Sequence, residues 1–392
     1  MVDAPLFDVA LEPSFDFLSA EYRALFDASE ASAFQHPVWL DALYRKLLAS
    51  NDAAPLIVVM RRADGSLAMV LPLIKRRYAA LSVVEFADLR VSDFVAPVTD
   101  RATFNAILAD RGAVTRLRSL LRPYDLLRIG KLDDSALPMH RLFGLERAAR
   151  MATNAYAVPL DGDFEAWRAR YLNRSYAKEL DKKGRQLERK GQLEFARVTA
   201  PADITQTFEA LRVFRRDRFE LNGGGELLQI AEYFDFYSSI AMAGDFARIY
   251  RMSLDGKPIG GAVGLAHRGA FLVIMVGFTQ TEFKNQSVGS LVLQQVARDA
   301  IARGETLLDF TIGDEPYKMT FGAQPRPMLQ MSRAGSPLGF VAGTMVDRLP
   351  AAKALARSLF QRSGQRAIPV QSRDETAAQA VHLDGGDTPV RV

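Results

Sequence analysis

"LLDFTIGDEPYKMTFG", Leu307–Gly322, decides how this chain is read. A run with the composition of a buried strand ends in Asp309, Asp314, Glu315, Tyr317 and Lys318, interrupted by Gly313 and Pro316. A solvated turn is the plain explanation, so the decision rests on what precedes it. Phe271–Phe278 reads as a strand and 279–286 as a loop. A helix follows from Ser287, with Val288, Leu291, Val292, Val296, Ala297 and Ala300 at helical spacing up to Arg303. The helix starts in "NQSVGS", small and polar. Free N–H groups and the dipole at such a start can hold a phosphate, although a serine there is more often a simple cap.

The same succession occurs earlier. "PLIVVMRRADGSLAMVLPLIKRR" gives two strands about a turn at Asp64-Gly65, as "ARIYRMSLDGKPIGGAVGLAH" does about Asp255-Gly256. Strands follow at "LSVVEFA" and "SDFVAPV", then a helix over Arg101–Leu121 and the buried strand "YDLLRIG". Helices are expected near Phe15–Ala28 and from Pro37. The order matches that of the second half, which implies tandem duplication of one α/β unit. Only the second copy ends in the acidic and aromatic cluster, so one working site is expected, with the first copy as its support.

Composition narrows the chemistry. The chain has 392 residues, 48% hydrophobic and 24% charged, with a net charge of +4. That suits two or three domains and an anionic cofactor or surface. There is no cysteine, which excludes disulfides and thiolate chemistry. The four histidines, His36, His140, His267 and His382, lack ligand spacing, and no metal is expected. The N-terminus has acidic residues and prolines where a signal peptide needs a basic start, and no apolar run is long enough to span a bilayer. The expected location is cytoplasmic, with peripheral attachment to the inner membrane open. The chain has no GxxxxGK[ST] loop and no GxSxG elbow. "LNGGGELL" reads as a flexible loop.

Strand, loop, "NQSVGS" and late strand together resemble the acyl-CoA-binding core of GNAT acyltransferases, whose pattern is Gln/Arg-x-x-Gly-x-Gly/Ala. Gln286 and Gly289 match it, and Leu291 stands where a small residue is usual. "LDFTIGDEPYKMTFG", "FQHPVWLDAL" and "DLRVSDFVAPV" resemble signatures of the FemAB-like tandem GNAT group, in its cellulose and exopolysaccharide (CelD-type) branch. The resemblance covers residues 30 to 325. It implies an α/β (α+β) chain of two tandem GNAT-like domains, each a mixed twisted sheet flanked by helices. Residues 1–152 would be non-catalytic, 153–333 the acyltransferase, and 334–392 a C-terminal helix with a disordered tail.

The resemblance also implies a bacterial acyltransferase that uses acetyl-CoA or another acyl-CoA and no metal, acting on a sugar or polysaccharide precursor. Backbone N–H groups around Val276, Gly277 and Phe278 would polarise the thioester carbonyl, as an oxyanion hole does. Gln286, Ser287, Val288, Gly289 and Ser290 would hold the pyrophosphate, with Gly289 allowing close approach. Asp309 or Glu315 would be the general base, and Tyr317 would protonate the thiolate or stack on a sugar. Asp314 and Lys318 would meet the acceptor, Lys318 an acidic or phosphorylated one, unless Asp314 and Glu315 cap a helix starting at Pro316.

Two basic stretches remain. Arg168–Gly191 carries nine Lys/Arg against three Asp/Glu, with Leu172, Tyr176, Leu180 and Leu187 on one face. It is either a solvated amphipathic helix or an electropositive rim for an anionic acceptor or an RNA. Leu349–Arg362 is a candidate helix for packing, a membrane surface, a polysaccharide-synthesis complex or a small anionic regulator. DNA is not an expected partner. The rival functions are an aminoacyl-tRNA-dependent transferase and a non-catalytic scaffold of a polysaccharide-synthesis complex.

Overall fold

The computed structural model describes residues 6–133, 137–221 and 226–348. The glycine run of "LNGGGELL" and the segment from Leu349 onward lie outside the described residues.

The first half runs β1 (Phe7–Leu11), α1 (Ala20–Ala28), α2 (Pro37–Lys46), β2 (Ala53–Arg62), β3 (Leu67–Tyr78), β4 (Leu81–Phe86), α3 (Arg101–Ala109), α4 (Arg111–Leu120), β5 (Leu126–Asp133), α5 (Met139–Leu142) and β6 (Ala149–Pro159). Two further helices, α6 (Phe164–Tyr171) and α7 (Arg174–Glu188), lead into the second half. It runs β7 (Leu193–Val198), α8 (Pro201–Leu221), α9 (Ala231–Ala241), β8 (Ala247–Leu254), β9 (Lys257–His267), β10 (Ala270–Phe278), α10 (Val288–Ala302), β11 (Leu307–Ile312), α11 (Pro316–Thr320) and β12 (Gln324–Ala334). Helix α12 (Pro337–Arg348) follows.

Both Asp-Gly hairpins form as expected. At the first, Asp64 Oδ1 accepts from the Ser66 backbone N–H at 2.9 Å, and Gly65 takes a φ of +84° that only glycine adopts freely.

The twelve strands form one sheet in the order β1-β2-β3-β4-β5-β12-β6-β11-β10-β9-β8-β7. Each half therefore places its last strand inside the other half. β12 pairs with β5 and β6, and β6 pairs with β12 and β11, all antiparallel. The two copies are expected to be tandem, and they are, but they share a single mixed, helix-flanked α/β sheet. The expected boundary at 152/153 falls inside β6. One core joins the halves on one face, where Trp39 of the first packs edge-on against Phe236 of the second at 5.0 Å. The opposite face carries a separate core in each half.

Several local expectations need correction. Helix α1 starts at Ala20 rather than Phe15, with Ser19 as its N-cap. The helix expected over Arg101–Leu121 is two, because the Asp110 side chain caps α4 through the Ala113 N–H at 2.9 Å. Arg168–Gly191 is likewise α6 and α7, divided at Leu172, with Asn173 capping the second. "SDFVAPV" is not a strand. Leu89 and Arg90 hold positive φ values of 38° and 68°, which turn the chain out of extended conformation. Only Val98 bridges back, to Val70.

Candidate active site

The site begins where two parallel strands part. β10 and β11 pair at Ala270–Leu307, Phe271–Leu308 and Leu272–Asp309, and no further. The divergence is built into β11, whose register shifts between Asp309 and Ile312. Thr311 there takes φ +58°, strained for a β-branched residue, and its N–H bonds Asp309 Oδ1 at 2.7 Å. The first half repeats the opening between β4 and β5, which pair only at Val83–Leu126 and Val84–Leu127.

The two openings differ in what occupies them. In the first half the loop after β4 folds in, with the Val95 N–H bonded to the Lys131 carbonyl and Lys131 Nζ to the Ser92 carbonyl. The start of α3 is closed by Asp100, which accepts from the Thr103 N–H at 2.8 Å. In the second half the N-cap of α10 is Ser287, at φ +50°, and it makes no side-chain cap. Its first N–H groups are thus open to an anion, whereas those of α3 already face a carboxylate.

On this donor side, α7 lies across the start of α10. Tyr176 packs edge-on against Phe321, and Lys183 Nζ bonds the Asn285 carbonyl. Leu291 is buried against Gly184 of α7, which accounts for a large side chain where the GNAT pattern has a small one. Gly289 has a structural reason of its own. A β-carbon there would lie 2.5 Å from the Phe278 ring, so glycine lets α10 close onto β10 and carries no information about a phosphate. Gly277 faces α8 in the same way, with Leu211 Cδ2 2.9 Å from where a β-carbon would be. The Val276 carbonyl accepts from Arg215 at 3.0 Å. A cleft of about 620 Å³, lined by Tyr171, Tyr176, Met319 and Thr320 among others, opens between the α6–α7 junction and α11.

The charged cluster that opened the sequence reading is dispersed. Asp309 and Phe310, adjacent on β11, point to opposite faces. Tyr317 packs edge-on against Phe310, ring centroids 6.0 Å apart, on the α10 side. Asp309 turns to the other face, 4% exposed, with Oδ2 2.5 Å from the Arg326 guanidinium. Arg326 also reaches Asp133 at 3.4 Å and lies over the Phe94 ring, so β12 and the first half complete this face. Burial raises the Asp309 carboxyl to about 6, against the pull of Arg326.

Lys318 cannot meet an acceptor. It is 1% exposed, with Nζ on the Gly313 carbonyl at 2.8 Å and on Glu315 at 2.9 Å. It braces the turn that follows β11. Asp314 is no helix cap: it accepts from Tyr156 Oη at 2.8 Å and Asn154 Nδ2 at 3.0 Å, which ties the turn to β6. Glu315 holds the N-cap position of α11 without a side-chain cap bond. Lys318→Met should lower stability by about 3 kcal/mol, because it leaves Glu315 and the turn carbonyls without their buried cation. Urea unfolding of the variant beside wild type measures this.

Arg326 and Asp133 were absent from the sequence expectation. A signal for Arg326 existed in "QPRPM". Pro325 and Pro327 flank Arg326 where β12 is paired only with β6, before pairing with β5 begins at Met328. Alternate prolines put their missing N–H groups on one edge, so that edge is unpaired.

Residues 174–319 match the acetyltransferase (GNAT) domain family. That match spans α7 to α11, in the second half of the chain. The splayed strands and open helix start described above fall within or beside the matched residues, and β1 to β6 lie outside them. Among solved structures, FemX is similar in fold, with a TM-score of 0.55 at 12% identity over 79% of this chain and 94% of that one. The C-terminal domain of a putative lysylphosphatidylglycerol synthetase from Agrobacterium fabrum gives 0.52 at 13% identity, over 89% and 97%. L-PGS from Bacillus licheniformis gives 0.53 at 9% identity, over 89% and 99%. These are likenesses of fold. No curated protein matches the sequence. Among the described residues, no helix is long and apolar enough to cross a membrane, and no group of three or more His, Asp or Glu is placed to hold a metal.

Proposed function

We propose that the protein transfers an acyl group from acyl-CoA to an amine of an exopolysaccharide or its sugar precursor, in the second half only. The observation that carries this reading is the pairing of an uncapped α10 start on one face of the β10–β11 opening with the buried Asp309 carboxylate on the other. The donor's pyrophosphate would lie on the N–H groups of α10 and its thioester in the opening. Asp309 would take the proton of the attacking group, directly or through a water. Tyr317, which packs on the α10 side, would serve the thiolate rather than the acceptor.

The charge of the acceptor face favours nitrogen over oxygen and over a phosphorylated acceptor. Arg326 is set among Asp133 and Asp309; the Lys318 cation, paired with Glu315, lowers the Asp309 carboxyl and Asp93 raises it. Such a face attracts an ammonium and repels an anion.

The test pairs glucosamine with glucose as acceptors for acetyl-CoA and follows release of the CoA thiol. The absence of cysteine leaves no protein thiol in the background. Release with glucosamine and not with glucose, giving an amide, is the expected result. Release with glucose alone would move the chemistry to a hydroxyl. Turnover only when aminoacyl-tRNA replaces acetyl-CoA would reject the donor.

A further inference from the structure

The outward face of α7 takes no part in the site described above. Leu180 and Leu187 are buried on the inward side, and Tyr176 packs inward against the Phe321 ring. On the opposite side Arg174, Lys178, Lys182, Arg185 and the C-cap Arg189 are all exposed, at steps of four, four, three and four residues. None of the five forms an ion pair with a described residue. Of the three acids of this helix, Asp181 is held by Arg168, Glu179 lies 3.9 Å from Lys183, and Glu188 is exposed three residues after Arg185.

A solvated helix face ordinarily interleaves both signs, because like charges three and four residues apart oppose helix formation. Here five cations follow one another at that spacing, while two of the three acids face cations off the stripe, Arg168 and Lys183, which leaves the outward face with an excess of positive charge. The row is about 22 Å long at 1.5 Å per residue. It runs along a convex ridge with no outward aromatic side chain on which a nucleobase could stack, which disfavours single-stranded RNA. Its N-terminal end adjoins the cleft near Tyr171, where Met319 is 56% exposed. A flat anionic surface matches a straight, outward cationic ridge.

We infer that α7 docks the protein on a bilayer rich in anionic phospholipid. The sequence offered a membrane surface as one of several partners for Leu349–Arg362, which lies outside the described residues, and the stripe on α7 is a separate surface. The inference does not depend on the transfer chemistry, and its test contains no acyl donor.

Cosedimentation of the full chain with vesicles of phosphatidylcholine alone, and of equal parts phosphatidylcholine and phosphatidylglycerol, measures docking. Binding to the mixed vesicles only, weakening as salt is raised, is expected. Replacing all five cations by glutamine should reduce that partitioning about a hundredfold. Thermal unfolding should be unchanged, since glutamine keeps helix propensity and no described ion pair is lost. The pair Lys178→Gln with Arg185→Gln should give an intermediate loss, and it reports on docking even if the fivefold variant fails to fold. Equal binding to both vesicle types, or unaltered binding by the glutamine variants, overturns the inference. Retention of transfer RNA in a gel-shift assay without vesicle binding also overturns it, in favour of a soluble polyanion.

Discussion

Asp309→Asn is expected to lower kcat by about 10²–10⁴-fold with little change in donor affinity, the usual range for loss of a positioned base. The substitution keeps the shape of the side chain and an oxygen for the Thr311 N–H, and removes the charge that takes the proton and pairs with Arg326. In wild type, kcat/KM should rise with pH and level off above about 6, because burial raises the Asp309 carboxyl to that value and the base works ionised. Stability should move the other way. The folded-state value lies above the ordinary 3.8, so the folded protein holds a proton that the unfolded chain has released. Stability from this group is present below about 3.8 and is lost as pH rises toward about 6. The asparagine variant lacks that loss, so its melting temperature relative to wild type should improve over this interval. Site and stability are opposed here, as is common where a charge is buried for function. A variant within about threefold of wild type would move the base elsewhere, with Glu315 next in line.

The legible parts of this fold are those whose cause is local. The Asp64-Gly65 and Asp255-Gly256 turns and the α10 periodicity come from neighbouring residues, and they stand where expected. Asp110 and Asn173 are local too, and reading them as caps would have divided two helices correctly. The exchange of β6 and β12 is different. Each is a plain strand in sequence, and which neighbour it joins depends on the whole sheet.

The elements of the candidate site were legible in the same measure. Asp309 and the α10 start followed from a strand-loop-helix pattern, but the roles inside "GDEPYKM" did not. Lys318 looks solvated in sequence, and only the turn carbonyls of Thr311 and Gly313 explain its burial. Gly289 looked like a phosphate glycine until the Phe278 ring accounted for it. Arg326 belongs to the site through pairing across halves, which no short window of sequence contains.

Ser287→Asp is the second large expected effect, and the chain itself supplies its precedent. Asp100 closes the corresponding helix start in the first half. A carboxylate at Ser287 would take the free N–H groups of α10 and repel a pyrophosphate, and aspartate tolerates the positive φ of that position. Donor affinity should fall about tenfold or more while the helix is held or strengthened. A change at Gly289 would confuse this reading, because any side chain there meets Phe278.

Calorimetric titration of acetyl-CoA into wild type and Ser287→Asp tests the central claim most directly. The account predicts saturable binding at one site per chain in wild type, since only the second-half opening is unfilled, and marked weakening in a variant that melts no lower. Two equal sites per chain, equal affinity in the variant, or no binding by folded wild type would contradict it.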